Sequence, residues 1–126
     1  KGGVVKMLIY CSHKFGGKME NAKAAELKIK KLQLADPKNT YISPIHAFGF
    51  MYNDMDYDVG LRLCLDLLSK CDVMIVLSEG SRGVMREIDY CKANNIPYIK
   101  PSLRELMTCK AFRVTKEDLH GLQENL

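Results

Sequence analysis

Four short segments of the chain have the apolar pattern of β-strands. Residues 4–11 and 72–77 are nearly unbroken apolar runs, which are typical of strands that are covered on both faces. Residues 40–43 form a shorter run that ends at Pro44, and residues 96–99 form the fourth. Because these runs do not alternate between apolar and polar residues, they favour a parallel sheet that is buried between layers of helices.

Helical periodicity fills the intervals between these strands. Residues 19–34, 56–70 and 84–94 repeat apolar side chains every three to four positions. Two shorter helical patterns, at 103–107 and 115–122, follow the last strand. This alternation predicts an α/β fold of three layers, with a doubly wound parallel sheet of four to five strands that is flavodoxin-like or Rossmann-like.

Three loops follow the first three strands of the predicted sheet. They span Ser12–Gly17, Pro44–Asp56 and Ser78–Gly83. In a doubly wound sheet, ligands bind beyond the carboxyl ends of the strands, where the strand order reverses. We therefore expect the three loops to meet over one ligand pocket. The middle loop is long for a connection between a strand and a helix, and such loops often carry function.

The composition suits one globular domain. The chain has 126 residues, of which 47% are hydrophobic and 27% are charged. We expect residues 1–126 to form a single domain, with 1–3 set apart as a sequence that could remain from cloning. No apolar run reaches the roughly 20 residues of a membrane helix, and the start lacks a signal-peptide pattern, so we expect no membrane partner.

The cysteines indicate a reducing compartment. Cys11, Cys64, Cys71, Cys91 and Cys109 contain no CxxC pair, and their number is odd. A disulfide framework or a zinc site has a different spacing. We therefore expect free thiols, a cytoplasmic location, and neither a metal nor another cofactor.

Lysines are concentrated on the first predicted helix. The net charge is +4, and Lys23, Lys28, Lys30 and Lys31 crowd this one segment without interleaved aromatic residues. The pattern favours a solvated helix face over a nucleic-acid surface. An interaction protein that uses this basic helix stays open as an alternative.

Glu87 is the first candidate for chemistry. On a helical wheel of about 100° per residue, Val84, Ile88 and Cys91 define the inward face of their helix, and Glu87 lies about 40° from Cys91. A carboxylate beside the core, in a helix that starts at the ligand edge, costs free energy unless it has a use. We expect Glu87 to face the ligand; a surface glutamate paired with a lysine is the alternative.

The loops also offer groups that bind anions. The turn before the helix of Glu87 brings backbone N–H groups together with a hydroxyl and a guanidinium, which suits a phosphate or a carboxylate. Neither a Walker A motif nor a GxGxxG motif is present. The candidate ligand-binding residues are Ser12, Lys14, Gly16 and Gly17 in the first loop and Ser81, Arg82 and Gly83 in the third. In the middle loop, the candidates for substrate contacts or for their support are His46, Asn53, Asp54 and Asp56.

Three segments resemble the nucleoside 2-deoxyribosyltransferase superfamily, over about residues 5–100. The run Ile9-Tyr10-Cys11 and the loop after it look like the family's first strand and ligand loop. Residues 71–76 are similar to its segment of an aspartate before an apolar strand. Residues 81–87, Ser-Arg-Gly-Val-Met-Arg-Glu, match its motif of serine or aspartate, glycine and glutamate. The nearer likeness is to the 2'-deoxynucleoside 5'-phosphate N-hydrolase branch and to uncharacterised phage and bacterial relatives.

The resemblance implies a role for each matching residue. Glu87 would be the nucleophile that attacks C1' of a deoxyribosyl group as the base leaves, and Tyr10 would position or tune its carboxylate. Ser81 would contact a 5'-phosphate. The partner would be a small nucleotide or nucleoside, and the protein would be a homo-oligomer, dimeric or higher.

Two positions depart from the family pattern, and one of them is Met85, where the family commonly has a small residue. The family has an acidic residue, which assists the leaving base, eight positions before the aspartate that opens the third strand, and this sequence has Cys64 there. Asp56, Asp58 or Asp66 could take its place. The expected function is an N-glycosidase or deoxyribosyltransferase that acts on 2'-deoxynucleotides. The alternative is a nucleotide-binding sensor module of the same fold with little or no activity.

Overall fold

The computed structural model describes residues 6–78, 80–102 and 104–105. Its four strands are β1 (Leu8–Ser12), β2 (Thr40–Ile42), β3 (Val73–Val76) and β4 (Tyr98–Ile99). They form one parallel sheet in the order β2-β1-β3-β4. This is a small α/β fold with a doubly wound parallel sheet, as the sequence predicts, and the order is that of the first four strands of a flavodoxin-like sheet.

Helices cover both faces of the sheet. They are α1 (Met19–Ala35), α2 (Pro44–Phe48), α3 (Tyr57–Leu68) and α4 (Arg82–Ala93), and a 3₁₀ helix spans Gly49–Asp54. Leu32 of α1 packs with Ile9 and Ile75 on one face. Leu68 of α3 and Ile88 of α4 pack with Met74 on the other face. Of the short helices expected at 103–107 and 115–122, the second and most of the first lie outside the described residues.

The middle segment between β2 and α3 is helical, although the sequence predicts a loop there. The Ser43 hydroxyl accepts a hydrogen bond from the Ile45 N–H at 3.2 Å and so caps α2. Pro44 occupies the first helical position, where a missing N–H costs no hydrogen bond. The prediction was wrong because it took Pro44 as the end of a strand rather than as the start of a helix.

Alternate residues of β1 face opposite layers. Ile9 and Cys11 pack against the α1 side, while Tyr10 packs against the side of α3 and α4. Ser12 shares the parity of Tyr10, so it faces the same side. Strand order reverses between β1 and β3, and this pair of side chains therefore lies beside the point where doubly wound folds bind ligands.

A buried polar network joins the opposite edge of the sheet. Oδ2 of Asp36 accepts hydrogen bonds from Nδ2 of Asn39 and from the Tyr41 hydroxyl, each at 2.8 Å. Oδ1 of Asn39 accepts one from the Met7 N–H at 2.9 Å. These bonds connect the amino ends of β1 and β2 to the turn that follows α1. Their donors and acceptors are satisfied within the protein, so the network stabilises the fold at this edge.

No helix in the described part of the chain combines the length and the apolar content that a membrane crossing requires.

Candidate functional site

A cavity of about 430 Å³ lies where the three predicted loops meet, beyond the carboxyl ends of β1, β2 and β3. Its size is within the range of small-molecule sites. The walls that matter for chemistry come from the first loop (His13, Phe15, Gly16), the middle segment (Phe48, Tyr52, Asp56), α3 (Tyr57, Cys64) and the start of α4 (Ser81, Arg82, Gly83, Glu87). The convergence that the alternating strands and helices predict is therefore present in the structure.

Glu87 lines this cavity and is nevertheless only 5% exposed. The Tyr10 hydroxyl donates a hydrogen bond to its Oε2, and the Ser12 hydroxyl donates one to its Oε1 at 2.6 Å. Both donors come from β1, and both are fully buried. Each carboxylate oxygen thus has one fixed partner and keeps a further lone pair for another contact.

The electrostatics of this group follow from its burial. Burial raises the pKa of Glu87 above its ordinary value, and the hydrogen bonds from Ser12 and Tyr10 lower it again in part. Burial and the neighbouring Glu87 carboxylate raise the pKa of Tyr10 well above its usual range. The tyrosine therefore stays protonated, so it acts as a donor to the carboxylate at neutral pH.

Cys64 lies beside this pair on the cavity wall. Burial and the Glu87 carboxylate raise the pKa of its thiol to about 11, although a hydrogen bond with Tyr10 opposes them. The thiol is therefore protonated at neutral pH. It is far weaker as an acid than the carboxyl group that the resemblance implies at this position.

Of the three aspartates that could replace that acid, Asp56 lines the cavity. Its Oδ1 accepts a hydrogen bond from the Val59 N–H at 3.0 Å, which caps α3. Asp66 instead pairs with Arg62 at 3.1 Å on the exposed side of α3. Asp58 is exposed and is not among the lining residues.

The third loop places Ser81, Arg82 and Gly83 together on the cavity wall, as the sequence predicts. The Ser81 hydroxyl accepts a hydrogen bond from the Val84 N–H at 3.0 Å and caps α4. The Arg82 guanidinium lies over the ring of Tyr57, with its central carbon 3.9 Å from the ring centroid. A hydroxyl, a cation and a helix N-terminus therefore share one side of the cavity.

The candidates of the first loop are divided between different environments. Gly16 lines the cavity, whereas Ser12 is buried and bonded to the nucleophile candidate. The Lys14 side chain is exposed, and its backbone N–H donates to the Ser78 hydroxyl at 2.8 Å. Gly17 packs against the Tyr52 ring instead of the cavity.

Three candidates of the middle segment are not among the lining residues. Nε2 of His46 lies 3.1 Å from Oε2 of Glu26 on α1. Asn53 and Asp54 are exposed on the 3₁₀ helix. Asp56 is thus the candidate from this segment that reaches the cavity.

Four aromatic residues of the wall are not among the candidates that the sequence predicts: Phe15, Phe48, Tyr52 and Tyr57. Phe15 and Tyr52 meet edge to face, with ring centroids 5.1 Å apart. For Phe15, Phe48 and Tyr52, the available signal was the presence of large rings in segments without strand or helix periodicity. A flat apolar wall of this kind suits stacking with a heteroaromatic ring.

His13 connects the first loop to the middle segment and was also missed as a wall residue. Its Nδ1 lies 3.0 Å from the Lys14 carbonyl oxygen, and its Nε2 lies 2.7 Å from the Ser43 hydroxyl. Because a carbonyl only accepts, Nδ1 carries the proton and Nε2 accepts from Ser43. Burial lowers the pKa of His13, which favours this neutral form.

The described residues contain no group of three or more histidine, cysteine, aspartate or glutamate side chains that could hold a metal ion. No protein-family model matches the sequence, and no curated protein matches it.

Proposed function

We propose that this protein is an N-glycosidase or deoxyribosyltransferase that acts on 2'-deoxynucleotides, with Glu87 as its nucleophile. One observation carries the proposal: a buried carboxylate faces a small-molecule cavity while two buried hydroxyls hold it in place. Apart from these two hydroxyls, no described residue forms a hydrogen bond or an ion pair with the Glu87 carboxylate. A carboxylate that is buried at some cost in free energy and still borders a cavity is typical of a functional site.

The reaction is a double displacement at C1' of the sugar. An oxygen of Glu87 forms a bond to C1' as the C1'–N bond breaks, and the electron pair leaves with the base, which takes up a proton. In hydrolysis, water then attacks C1' of the resulting ester and releases one proton to the solvent, while the bond to Glu87 breaks and the carboxylate is restored. In transfer, a second base replaces water. The carboxylate also stabilises the positive charge that develops on the sugar in each step.

Tyr10 and Ser12 fix the plane of the reacting carboxylate. Each donates to a different oxygen, and both belong to one face of β1. A nucleophile that is already oriented loses less entropy on reaching the transition state. The same hydrogen bonds favour the ionised form that the attack requires.

The other walls suit the rest of a nucleotide. The rings of Phe15, Phe48 and Tyr52 offer a face for the base, while Ser81 and Arg82 offer donors for an anionic group. Besides Glu87, the described lining residues include one carboxyl group, that of Asp56, which can contact the leaving base in place of the thiol at position 64.

The test incubates the protein with each of the four 2'-deoxynucleoside 5'-monophosphates and measures the free base by chromatography. The wild-type protein is expected to release base from at least one of them. Glu87→Ala is expected to lower the rate by about 10³-fold or more, the usual order for a lost nucleophile. Asp89→Asn, which removes an exposed acid from the same helix, serves as the matched control and should keep the rate. Absence of release from all four nucleotides, both alone and with an added acceptor base, contradicts the proposal.

A nucleotide sensor is the second candidate, and the thiol of Cys64 favours it. Because its pKa is about 11, this group is a poor acid for a leaving base. A sensor binds nucleotides at the same cavity, and they raise its melting temperature without any release of base. The release of free base therefore distinguishes the two candidates in samples that both bind nucleotides.

A further inference from the structure

The first residues of two helices meet on the cavity wall. Arg82 begins α4 and Tyr57 begins α3, and both line the cavity. The central carbon of the guanidinium lies 3.9 Å from the centroid of the tyrosine ring. A cation over a tyrosine face at this distance gains attraction from the ring's negative face, so the contact restrains an otherwise flexible side chain.

Arg82 is well suited to receive an anion at this position. Among the described residues that line the cavity, it is the one lysine or arginine. It forms no ion pair within the part of the chain that the structure describes. A guanidinium that rests on a ring keeps its N–H donors at its edge, where they can reach the oxygens of a phosphate.

Gly83 lies beside this pair on the cavity wall. A Cβ at Gly83 would lie 3.9 Å from the Ser81 hydroxyl oxygen and 4.0 Å from the Tyr57 hydroxyl oxygen. Glycine therefore leaves open the corner between these two hydroxyls. The N–H groups of Arg82 and Gly83 belong to the first turn of α4, where no acceptor exists within the helix.

We infer that Tyr57 is a positioning residue, which holds the Arg82 guanidinium for a 5'-phosphate and thereby makes the cavity prefer nucleotides over nucleosides. The inference rests on the ligand class of the proposed function. It does not rest on turnover, since it concerns binding alone. The aromatic face supplies the restraint, so phenylalanine at position 57 retains the preference, and an aliphatic residue of similar size does not.

The experiment measures dissociation constants for the four 2'-deoxynucleosides and their 5'-monophosphates. The proteins are Glu87→Gln alone, which prevents consumption of the ligands, and the same protein with Tyr57→Phe, Tyr57→Leu or Arg82→Gln. The quantity compared is the ratio of nucleoside to nucleotide dissociation constants. We expect Tyr57→Leu to lower this ratio by about threefold to tenfold. Arg82→Gln should lower it by about tenfold or more, and Tyr57→Phe should leave it within a factor of about two.

Three results overturn the inference. An equal loss of affinity for nucleosides and nucleotides in Tyr57→Leu makes Tyr57 a plain wall of the cavity. A ratio that does not change in Arg82→Gln removes the guanidinium from phosphate recognition. Failure to bind any of the eight compounds overturns it as well.

The outcome is separable from that of the proposed glycosidase. If base is never released but the ratio falls in Tyr57→Leu, the positioning role of Tyr57 stands and the proposed chemistry fails. If base is released and the ratio is unchanged, the proposed chemistry stands and the role of Tyr57 fails.

Discussion

At the scale of single residues, Glu87 is a charged group whose burial has a cost in stability. Its carboxylate is nearly inaccessible, and its two hydrogen bonds offset the loss of hydration only in part, because burial remains the largest influence on its pKa. The protein keeps this group where an apolar residue would pack at lower cost. Such an arrangement is more common at functional sites than elsewhere in a fold.

The stability of the protein should therefore depend on the ionisation of Glu87. Since the folded pKa is raised above the unfolded one, the folded state binds the proton more tightly, and stability falls as pH rises through the raised pKa. We expect Glu87→Gln to be more stable than the wild type at neutral pH, and the difference to shrink towards about pH 4. Urea unfolding across this range measures it, with Asp89→Asn as the exposed control. A Gln variant that is less stable at every pH contradicts the expectation.

Tyr10→Phe tests the hydroxyl that favours the ionised carboxylate. Removal of this donor raises the pKa of Glu87 further, so the loss of activity on acidification should begin at higher pH. We expect kcat to fall by about tenfold to a hundredfold as well, because the carboxylate loses one of its two supports. The pH dependence of base release gives both quantities. Tyr98→Phe, whose side chain is partly buried and packs against the same core cluster, should show neither change; an unshifted profile in Tyr10→Phe argues against the tuning role.

At the scale of elements, the sequence predicted α4 and the inward direction of Glu87. Apolar residues of this helix recur every three to four positions, and Glu87 lies beside them on the helical wheel. The sequence did not predict the middle segment, where a capping serine, a proline at the first position and a 3₁₀ helix replace a loop. Such turns depend on two or three local hydrogen bonds and not on periodicity. The role of Ser12 was also unpredictable, since it depends on which helix packs over β1.

Gly17 combines a left-handed backbone conformation with close packing against the ring of Tyr52. Gly16 and Gly17 both have positive φ, at 62° and 75°. A Cβ at Gly16 would meet nothing within 4 Å, whereas one at Gly17 would lie 2.9 Å from Cε2 of Tyr52. We expect either alanine variant to lose about 1 kcal/mol of unfolding free energy. Because it displaces the Tyr52 ring, we expect Gly17→Ala to weaken nucleotide binding severalfold, which calorimetric titration measures; unchanged binding contradicts a role for Tyr52 in the wall.

At the scale of the whole molecule, the two edges of the sheet differ: one borders the cavity, and the other contains the buried polar network. The cavity lies at the carboxyl edge, and the network of Asp36, Asn39 and Tyr41 lies at the amino edge. The number of strands and their parallel direction follow from the sequence, because apolar runs alternate with helices. The reversal of order between β1 and β3 depends on which face each connection crosses, and no single segment encodes that choice.

Asp36→Ala should therefore damage the fold without changing the site. It leaves the Asn39 amide and the Tyr41 hydroxyl without their shared acceptor, and we expect a loss of about 2–4 kcal/mol of unfolding free energy. The dissociation constant for a bound nucleotide should be unchanged as long as the variant is folded. Denaturant unfolding and titration on the same preparation measure the two quantities. A parallel loss of affinity means that the edges are coupled.

Both hydrogen-bond donors to Glu87 belong to β1, and this limits the sequence changes that the site tolerates. Tyr10 and Ser12 are two positions apart on a central strand, with Ile9 and Cys11 on its other face. Insertion of one residue early in β1 exchanges the two faces, which brings thiol and isoleucine to the carboxylate and puts a phenol and a hydroxyl under α1. Both supports are then lost in one event. A substitution at Tyr10 or Ser12 removes one of these hydrogen bonds, whereas an insertion or deletion in this strand removes both.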